Sequence, residues 1–261
     1  MHNSFDSAAL SYDESFTYSN IGILQRKLVH KYLKNEVFLN ENLSILELNC
    51  GTGEDALWFS NEGHQVLATD YSTEMIKMAR KKVDSKNVDF KQMDINNIME
   101  LTKNNRKFDL IFSNFGGLNC LNSSQLKSFL KNAKELLKDN GHIVLVIMGK
   151  DCVWDNIYLF FKGQWSSIFR RHSKKPVSVN LDGNSVSTYY YNPKDITFLV
   201  QNGLKSKRIV PIGFFVPTSY MAPFFRNKNL LLKGLFWSEN KVQRWSFLGR
   251  FSDHYLIHLK K

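Results

Sequence analysis

The first chemistry legible in this 261-residue chain rests on two glycines and one acid. Ser44-Ile45-Leu46-Glu47-Leu48 reads as an apolar strand that runs into Asn49-Cys50-Gly51-Thr52-Gly53, and Asp70 closes the next apolar strand, Gln65–Asp70. Without a Cβ, Gly51 and Gly53 let the backbone turn tightly and come close to a ligand. A helix predicted from Glu54 points its unpaired N–H groups back at the turn. A carboxylate roughly 20 residues further on suits both hydroxyls of a ribose. The combination describes a nucleoside held at two points.

The same residues also fit Gly51-x-Gly53-x-x-Ala56, the spacing of a dinucleotide-binding turn. Three features separate the readings. Glu47 sits inside the first strand, where a dinucleotide fold has an apolar residue. A third acid, Asp94, ends the next strand, Val88 to Asp94. The fourth strand, Phe108 to Asn114, runs into Phe115-Gly116-Gly117-Leu118-Asn119.

With these motifs in order, the chain resembles the class I methyltransferases that use S-adenosyl-L-methionine, in their small-molecule branch. The family turn Glu-Leu-Gly-Cys-Gly-Thr-Gly stands here as Glu47-Leu48-Asn49-Cys50-Gly51-Thr52-Gly53, with Asn49 in place of the first glycine. Asn is the non-glycine residue that best tolerates a left-handed backbone. The resemblance is close over 43–149 and holds elsewhere in outline. It implies that Glu47 lies near the cofactor's amino-acid end and that Asn49, Gly51 and Gly53 form its turn. Asp70 would take the ribose hydroxyls, Tyr71 and Met75 would pack on the adenine, and Asp94 with the Ile95 backbone would meet its amino group. Ser113 and Asn114 would line the methyl-transfer end. Phe5-Asp6-x-x-Ala9-x-x-Tyr12-Asp13 resembles the N-terminal lid of the quinone and natural-product enzymes, which carries Tyr12 to the cofactor. Arg26 either meets the methionine carboxylate or is simply solvated. Candidate substrate contacts are Phe115, Asn119, Trp154 and Tyr158. Local alternatives stay open: Asp70 as a helix-entry residue ahead of Ser72, Asp94 as the start of a turn, Met75 as plain core.

Strands alternating with amphipathic helices imply an α/β fold, a Rossmann-like doubly wound seven-stranded sheet whose last strand is antiparallel. The expected organisation is a helical lid over 1–42, a cofactor-binding core over 43–149, and completion of the sheet over 150–261. Two cap insertions, about 150–186 and 213–250, interrupt that last part. Leu24, Leu28, Val29, Tyr32 and Leu33 recur at helical spacing in the lid, and Ser124 to Lys138 carries the clearest helical period. Further strands are expected at 142–148, 186–191, about 207–212 and about 254–259, with a helix opening at Asn192-Pro193 and stopping at Gly203.

The net charge of +11 is unevenly placed: residues 151–261 hold 17 Lys/Arg against 6 Asp/Glu, and 21 of the 35 aromatics. Such a segment suits an anionic or flat partner, or is a solvated basic surface over an aromatic core. Cys50, Cys120 and Cys152 show no metal or redox spacing, which favours a reducing, cytoplasmic setting, and no acidic cluster points to a metal. The first residues do not read as a signal peptide, and the longest apolar run, Ile143 to Met148, is far too short to span a bilayer. A general base is hard to find. His64, His142 and His258 read as structural, Asp253-His254 as an ordinary ion pair, and His172 of Arg170-Arg171-His172 is a weak catalytic candidate. No Asn-Pro-Pro-Tyr or Asp-Pro-Pro-Tyr stands at 113–116, which argues against the branch that methylates adenine or glutamine amides.

The leading expectation is O- or N-methylation of a small aromatic or lipid-like molecule. RNA methylation by the basic aromatic half, a non-catalytic cofactor-binding protein and an NAD-dependent oxidoreductase are the alternatives. Residues 223–237, apolar with spaced bases, are either a membrane-surface helix or a cap helix packed on the pocket. Oligomeric state is not legible.

Overall fold

Five strands of the chain's first part form the parallel side of a sheet: β1 (Ser44–Leu48), β2 (Gln65–Asp70), β3 (Val88–Gln92), β4 (Phe108–Ser113) and β5 (Leu137–Met148). Helices α1 (Asn20–Glu36), α2 (Glu54–Asn61), α3 (Thr73–Lys82) and α4 (Ser123–Leu136) precede or connect them. The structure is a computed structural model and describes residues 5–39, 42–181, 184–200 and 203–261. The sheet is completed by β8 (Lys205–Ile212) and β9 (His254–Lys260), and its order is β3-β2-β1-β4-β5-β9-β8. β9 pairs antiparallel with both neighbours, as the sequence leads one to expect. Strand order reverses between β1 and β4, so a crevice opens at their carboxyl ends.

Side chains alternate across the sheet with period two. Leu46 and Leu48 of β1 face α4, together with Ile111, Phe129 and Leu130. Ile45 faces α1 and α2, against Leu28, Leu33, Phe59 and Phe112. Glu47 shares the Ile45 face and is therefore carried into the apolar layer under α1, where it is 2 % exposed. Local caps set the helix starts. Ser19, Ser72 and Asn122 each accept from the N–H three residues on, and Asn122 with Gln125 closes a full capping box.

The later part departs from the expected pattern. A separate antiparallel hairpin joins β6 (Val177–Leu181) to β7 (Asn184–Thr188), where a single strand over 186–191 was expected. The tyrosines leave the strand because the loop after β4 captures them: Tyr189 N donates to the Asn119 carbonyl at 2.7 Å, and Tyr191 Oη donates to the Leu121 carbonyl at 2.6 Å. α6 (Pro193–Leu199) starts at its Asn192 capping box as predicted but stops at Leu199, ahead of Gly203. The insertions carry α5 (Val153–Phe161), α7 (Ala222–Phe225) and α8 (Asn229–Val242). Among the described residues no helix is long and apolar enough to cross a membrane.

Two of the histidines read as structural form a buried chain at the β5–β9 edge. His142 Nδ1 lies 2.8 Å from His258 Nε2, and His258 Nδ1 lies 2.8 Å from Tyr32 Oη. Burial, aided by His142, Lys207 and Lys260, pushes His258 down to about 3 from its ordinary 6.5. Below pH 6.5 the unfolded chain therefore takes up a proton that the folded chain refuses, and acid favours unfolding. We expect the urea midpoint to fall as pH drops from about 6.5 toward 3, with on the order of 2–4 kcal/mol lost. His258→Asn should flatten that dependence, and an equally steep profile in the variant would refute the assignment.

Candidate functional site

A cavity of about 750 Å³ lies at the carboxyl ends of β1, β2 and β4. Its floor is the glycine turn. Asn49 and Gly51 both take left-handed backbone, with φ of 54° each, so asparagine does here what the family's glycine would do. Asn49 Nδ2 donates to Ser113 Oγ at 3.1 Å. A Cβ on Gly117 would come within 2.5 Å of the Asn49 side chain, so only glycine leaves that room. Gly53, at φ 82°, is the α2 N-cap, and its bare Cα lets α3 approach through Ala79.

Asp70 joins the two motifs. Its Oδ2 accepts from Gly51 N at 2.9 Å and its Oδ1 from Ser72 N at 2.8 Å. Burial raises its pKa in spite of these bonds, which pull the other way. Donors supplied by a bound ligand would stabilise the charge further. The expected helix-entry role of Asp70 is present, and its tie to the glycine turn comes in addition. Asp94 caps the turn that follows β3, its Oδ1 accepting from Asn96 N at 2.8 Å, and it also lines the cavity. Tyr71, Met75 and Ile95 line the same end. Met75 is 2 % exposed, so it serves as core and as wall together.

The N-terminal segment closes over the turn by polar ties to α3. Asp6 Oδ1 accepts from Ser72 Oγ at 2.5 Å, and Asp13 accepts from Thr52 Oγ1 at 2.5 Å and pairs with Lys82 at 2.5 Å. Tyr12 is thereby held beside Gly51 and lines the cavity. Burial pushes its hydroxyl up to about 12, so it keeps its proton.

Behind the turn lies a charged knot that the motifs did not announce. Asp55, 4 % exposed, accepts from Arg26 Nη1 at 2.5 Å and Asn114 Nδ2 at 2.9 Å, and meets His30 Nε2 at 2.7 Å. Burial alone would raise the Asp55 carboxyl, but Arg26 and His30 outweigh it and hold it well below the usual range. The solvated reading of Arg26 is thus corrected: it sits on the inward side of α1, its side chain only 11 % exposed, with its guanidinium 5.1 Å from the centre of the Phe115 ring. Glu47 is pushed well above its usual range, first by burial and then by Asp55, against the pull of Arg26. Glu47 Oε2 and Arg26 Nε have no hydrogen-bond partner among the described residues. An orphaned acid and an orphaned guanidinium N–H behind the turn fit a ligand that brings an ammonium and a carboxylate.

Not every predicted residue lines the cavity. Tyr12, Asn49, Gly51, Asp70, Tyr71, Met75, Asp94, Ile95, Asn114 and Phe115 do. Glu47, Gly53 and Ser113 stand behind that wall. Asn119 is a fully buried clip: its Nδ2 donates to the Met148 and Tyr189 carbonyls and its Oδ1 accepts from Met148 N. Those bonds consume the polar atoms expected to meet substrate. Trp154 donates Nε1 to the Phe214 carbonyl at 3.0 Å and packs edge-on against Phe225, and Tyr158 packs on Tyr220 at 5.0 Å. Both support the wall from outside. His172 pairs with Asp151 at 2.7 Å and is absent from the lining.

The far wall comes from residues that sequence reasoning did not assign to a site, Arg170, Arg171, Tyr190, Thr218, Ser219 and Tyr220, together with Asp253 and His254, expected only as an ion pair. Asp155, 0 % exposed, gathers Arg170 at 2.8 Å, Arg171 at 2.9 Å and the Tyr220 hydroxyl at 2.6 Å. Arg171 continues to Asp253 at 3.4 Å, and Asp253 lies 3.2 Å from His254 Nδ1. Burial would raise Asp253, but His254 and Arg171 hold it far below the usual carboxylate range. One signal could have found His254. An antiparallel last strand begins at the edge where its parallel neighbours end, and His254 pairs with Met148, the final residue of β5.

Residues 45–141 match the family model described as a methyltransferase domain. An uncharacterized protein of Methanocaldococcus jannaschii is 28% identical over 197 residues, covering 74% of this chain and 70% of that protein. A malonyl-[acyl-carrier protein] O-methyltransferase of Bacillus anthracis is 32% identical over 155 residues, 56% of this chain, and the match spans about half (52%) of that relative's length. In fold, an S-adenosylmethionine-dependent methyltransferase from Clostridium acetobutylicum superimposes with a TM-score of 0.59 at 17% identity, covering 99% of both chains.

Losing the Asp70 carboxylate removes the tie to Gly51 together with the acid expected to accept the ribose hydroxyls. We expect Asp70→Ala to weaken S-adenosyl-L-methionine binding about tenfold or more in calorimetry. Gly117→Ala, which displaces Asn49, should also cost about tenfold in affinity. Wild-type affinity in both variants would contradict this account of the turn. The turn, the acid that ends β2, the acid just past β3 and the sheet order agree with the matched domain, and the chain carries a methyltransferase domain over residues 45–141.

Proposed function

We propose that this protein transfers a methyl group from S-adenosyl-L-methionine to a hydroxyl or amine of a small aromatic or lipid-like molecule. One observation carries the reading: the glycine turn with Asp70 and the cap residues with His254 wall a single cavity, so donor and acceptor would share one enclosed space. Bound there, the cofactor supplies a methyl already activated on sulfur. The chain's own residues supply position and a dry site.

In this reading Asp70 receives the ribose hydroxyls, Asp94 and the Ile95 backbone the adenine edge, and Tyr71 and Met75 its faces. Glu47 and Arg26, each with an orphaned atom behind the cavity wall, back the turn where the methionine end would lie. Tyr12 closes the turn from above. Residues 1–42 then act as a lid and the two insertions of 150–261 as a cap. Asn114 and Phe115 define the transfer end. Arg170 and Arg171, held by Asp155, favour an acceptor with an anionic group. A malonyl-bearing acceptor in the Bacillus anthracis relative's name is consistent with that preference.

His254 is the group suited to take the acceptor's proton. It lines the cavity, its ring centre lies 5.6 Å from that of Phe115, and Asp253 lies 3.2 Å from its Nδ1. His254→Gln should lower kcat about a hundredfold with cofactor affinity unchanged, since proton transfer of this kind contributes 10² or more. Equal kcat in the variant would remove His254 from the reaction.

Labelled methyl from the cofactor, offered with this protein to a fractionated cell extract, should arrive in small molecules. Label found in RNA would transfer the assignment to the basic half of the chain. Absence of label from every fraction, with the cofactor firmly bound, would favour a non-catalytic binding protein.

A further inference from the structure

The outer surface of the cap has a composition that neither cofactor binding nor methyl transfer requires. α8 is apolar on both sides. Leu232, Val242 and the carboxylate of Glu239 point inward, whereas Leu230 and Trp237 point outward, 85 % and 64 % exposed. Leu230, Gly234, Trp237 and Lys241 follow one another at helical spacing and form a single outward stripe. Beside it, Phe224 is 60 % exposed and Lys228 Nζ sits 3.1 Å from its ring centre. Phe224 stacks edge-on with Phe225, Phe225 meets Trp154 of α5, and α5 ends in the exposed Phe160 and Phe161. Ring contacts thus connect α8's neighbour α7 to α5.

The charge on this face has one sign. Between Ser219 and Trp245 the chain has five bases and one acid, and that acid is Glu239. It is 0 % exposed and accepts the N–H groups of Gly213, Phe214, Phe215 and Val216. Between Lys162 and Lys175 there are bases and no acid. Buried acids leave Lys162, Lys174, Lys228, Lys233 and Lys241 on the outside without acidic neighbours in their own segments.

We propose that this outer face of the cap rests on an anionic membrane surface, Trp237, Leu230 and Phe224 entering the interface while the lysines meet lipid headgroups. Exposed tryptophan and phenylalanine with aliphatic residues, ringed by lysine on a helix of this kind, is the chemistry of an interfacial helix. A nucleic acid would call for rings arranged as stacking platforms along a groove, and Leu230 and Leu231 offer a base nothing to stack on. The inference stands apart from the catalytic reading, because none of these residues lines the cavity.

The test is co-sedimentation of the full chain with vesicles of phosphatidylglycerol and phosphatidylcholine in equal parts, and with phosphatidylcholine alone. We expect pelleting with the anionic vesicles at low salt, and about tenfold weaker partition for Leu230→Ser/Trp237→Ser and for Lys228→Glu/Lys233→Glu. Cofactor affinity measured on the same preparations should be unchanged, which shows that the variants fold and separates this result from that of the catalytic site. Failure to pellet with either vesicle, or parental partition in both variants, overturns the proposal. So does a dimer in free solution that Leu230→Ser/Trp237→Ser dissolves, since the face then belongs to a second copy. RNA binding abolished by these variants, without vesicle binding, overturns it in favour of nucleic acid.

Discussion

A carboxylate that accepts one backbone N–H from a glycine turn and another from the entry of the next helix sets the geometry of everything around the cavity. The bonds from Gly51 and Ser72 to Asp70 tie the end of β1 to the end of β2. They hold the turn open, place the first residues of α3 beside it, and leave the carboxylate buried and costly to ionise unless further donors arrive. A site of this kind is poised for a ligand with hydroxyls to give. The lid depends on the same arrangement, because Asp6 docks on the Ser72 hydroxyl and Asp13 on Thr52 of the turn.

Two further buried acids repeat the logic on either side. Asp55 draws Arg26, His30 and Asn114 together and so joins α1 to the carboxyl end of β4. Asp155 draws Arg170, Arg171 and Tyr220 together and so joins the two insertions into one wall. In each case a buried charge is compensated by several donors, and removing one partner would strand the rest in a medium that solvates charge poorly. The apolar layers hold the sheet together, while these acids fix the position of the elements that surround the cofactor. Glu239 does the same for the loop after β8 with four backbone N–H groups, and in doing so withdraws the one acid of residues 219–245 from the outer surface.

The legible and illegible parts of the site divide by sequence distance. Gly51, Gly53, Asp70 and Asp94 are read from strands and turns whose parts lie within a few residues of one another, and the sheet order follows from alternation and handedness. Asn119 misleads because its type suits ligand binding, yet the carbonyls of Met148 and Tyr189 claim it from 29 and 70 residues away. Arg26 misleads in the opposite sense: an arginine on a helix is ordinarily solvated, and only Asp55 packed against it makes burial tolerable. Trp154 and Tyr158 were placed in the right insertion, but α5 turns them toward Phe225 and Tyr220, one step behind the cavity wall.

By itself the sequence determined the cofactor end of this protein, because a left-handed turn at Asn49 and Gly51, an acid at a strand terminus and an apolar period are properties of short stretches of chain. Tertiary structure alone decided the opposite wall of the cavity. Arg171, Tyr220 and His254 come from segments tens of residues apart, and their meeting depends on which buried acid each one satisfies and on β9 running antiparallel to β5. Pairing energies of that kind arise only after desolvation, when every buried charge must find a partner, and no local pattern of residue types records the choice.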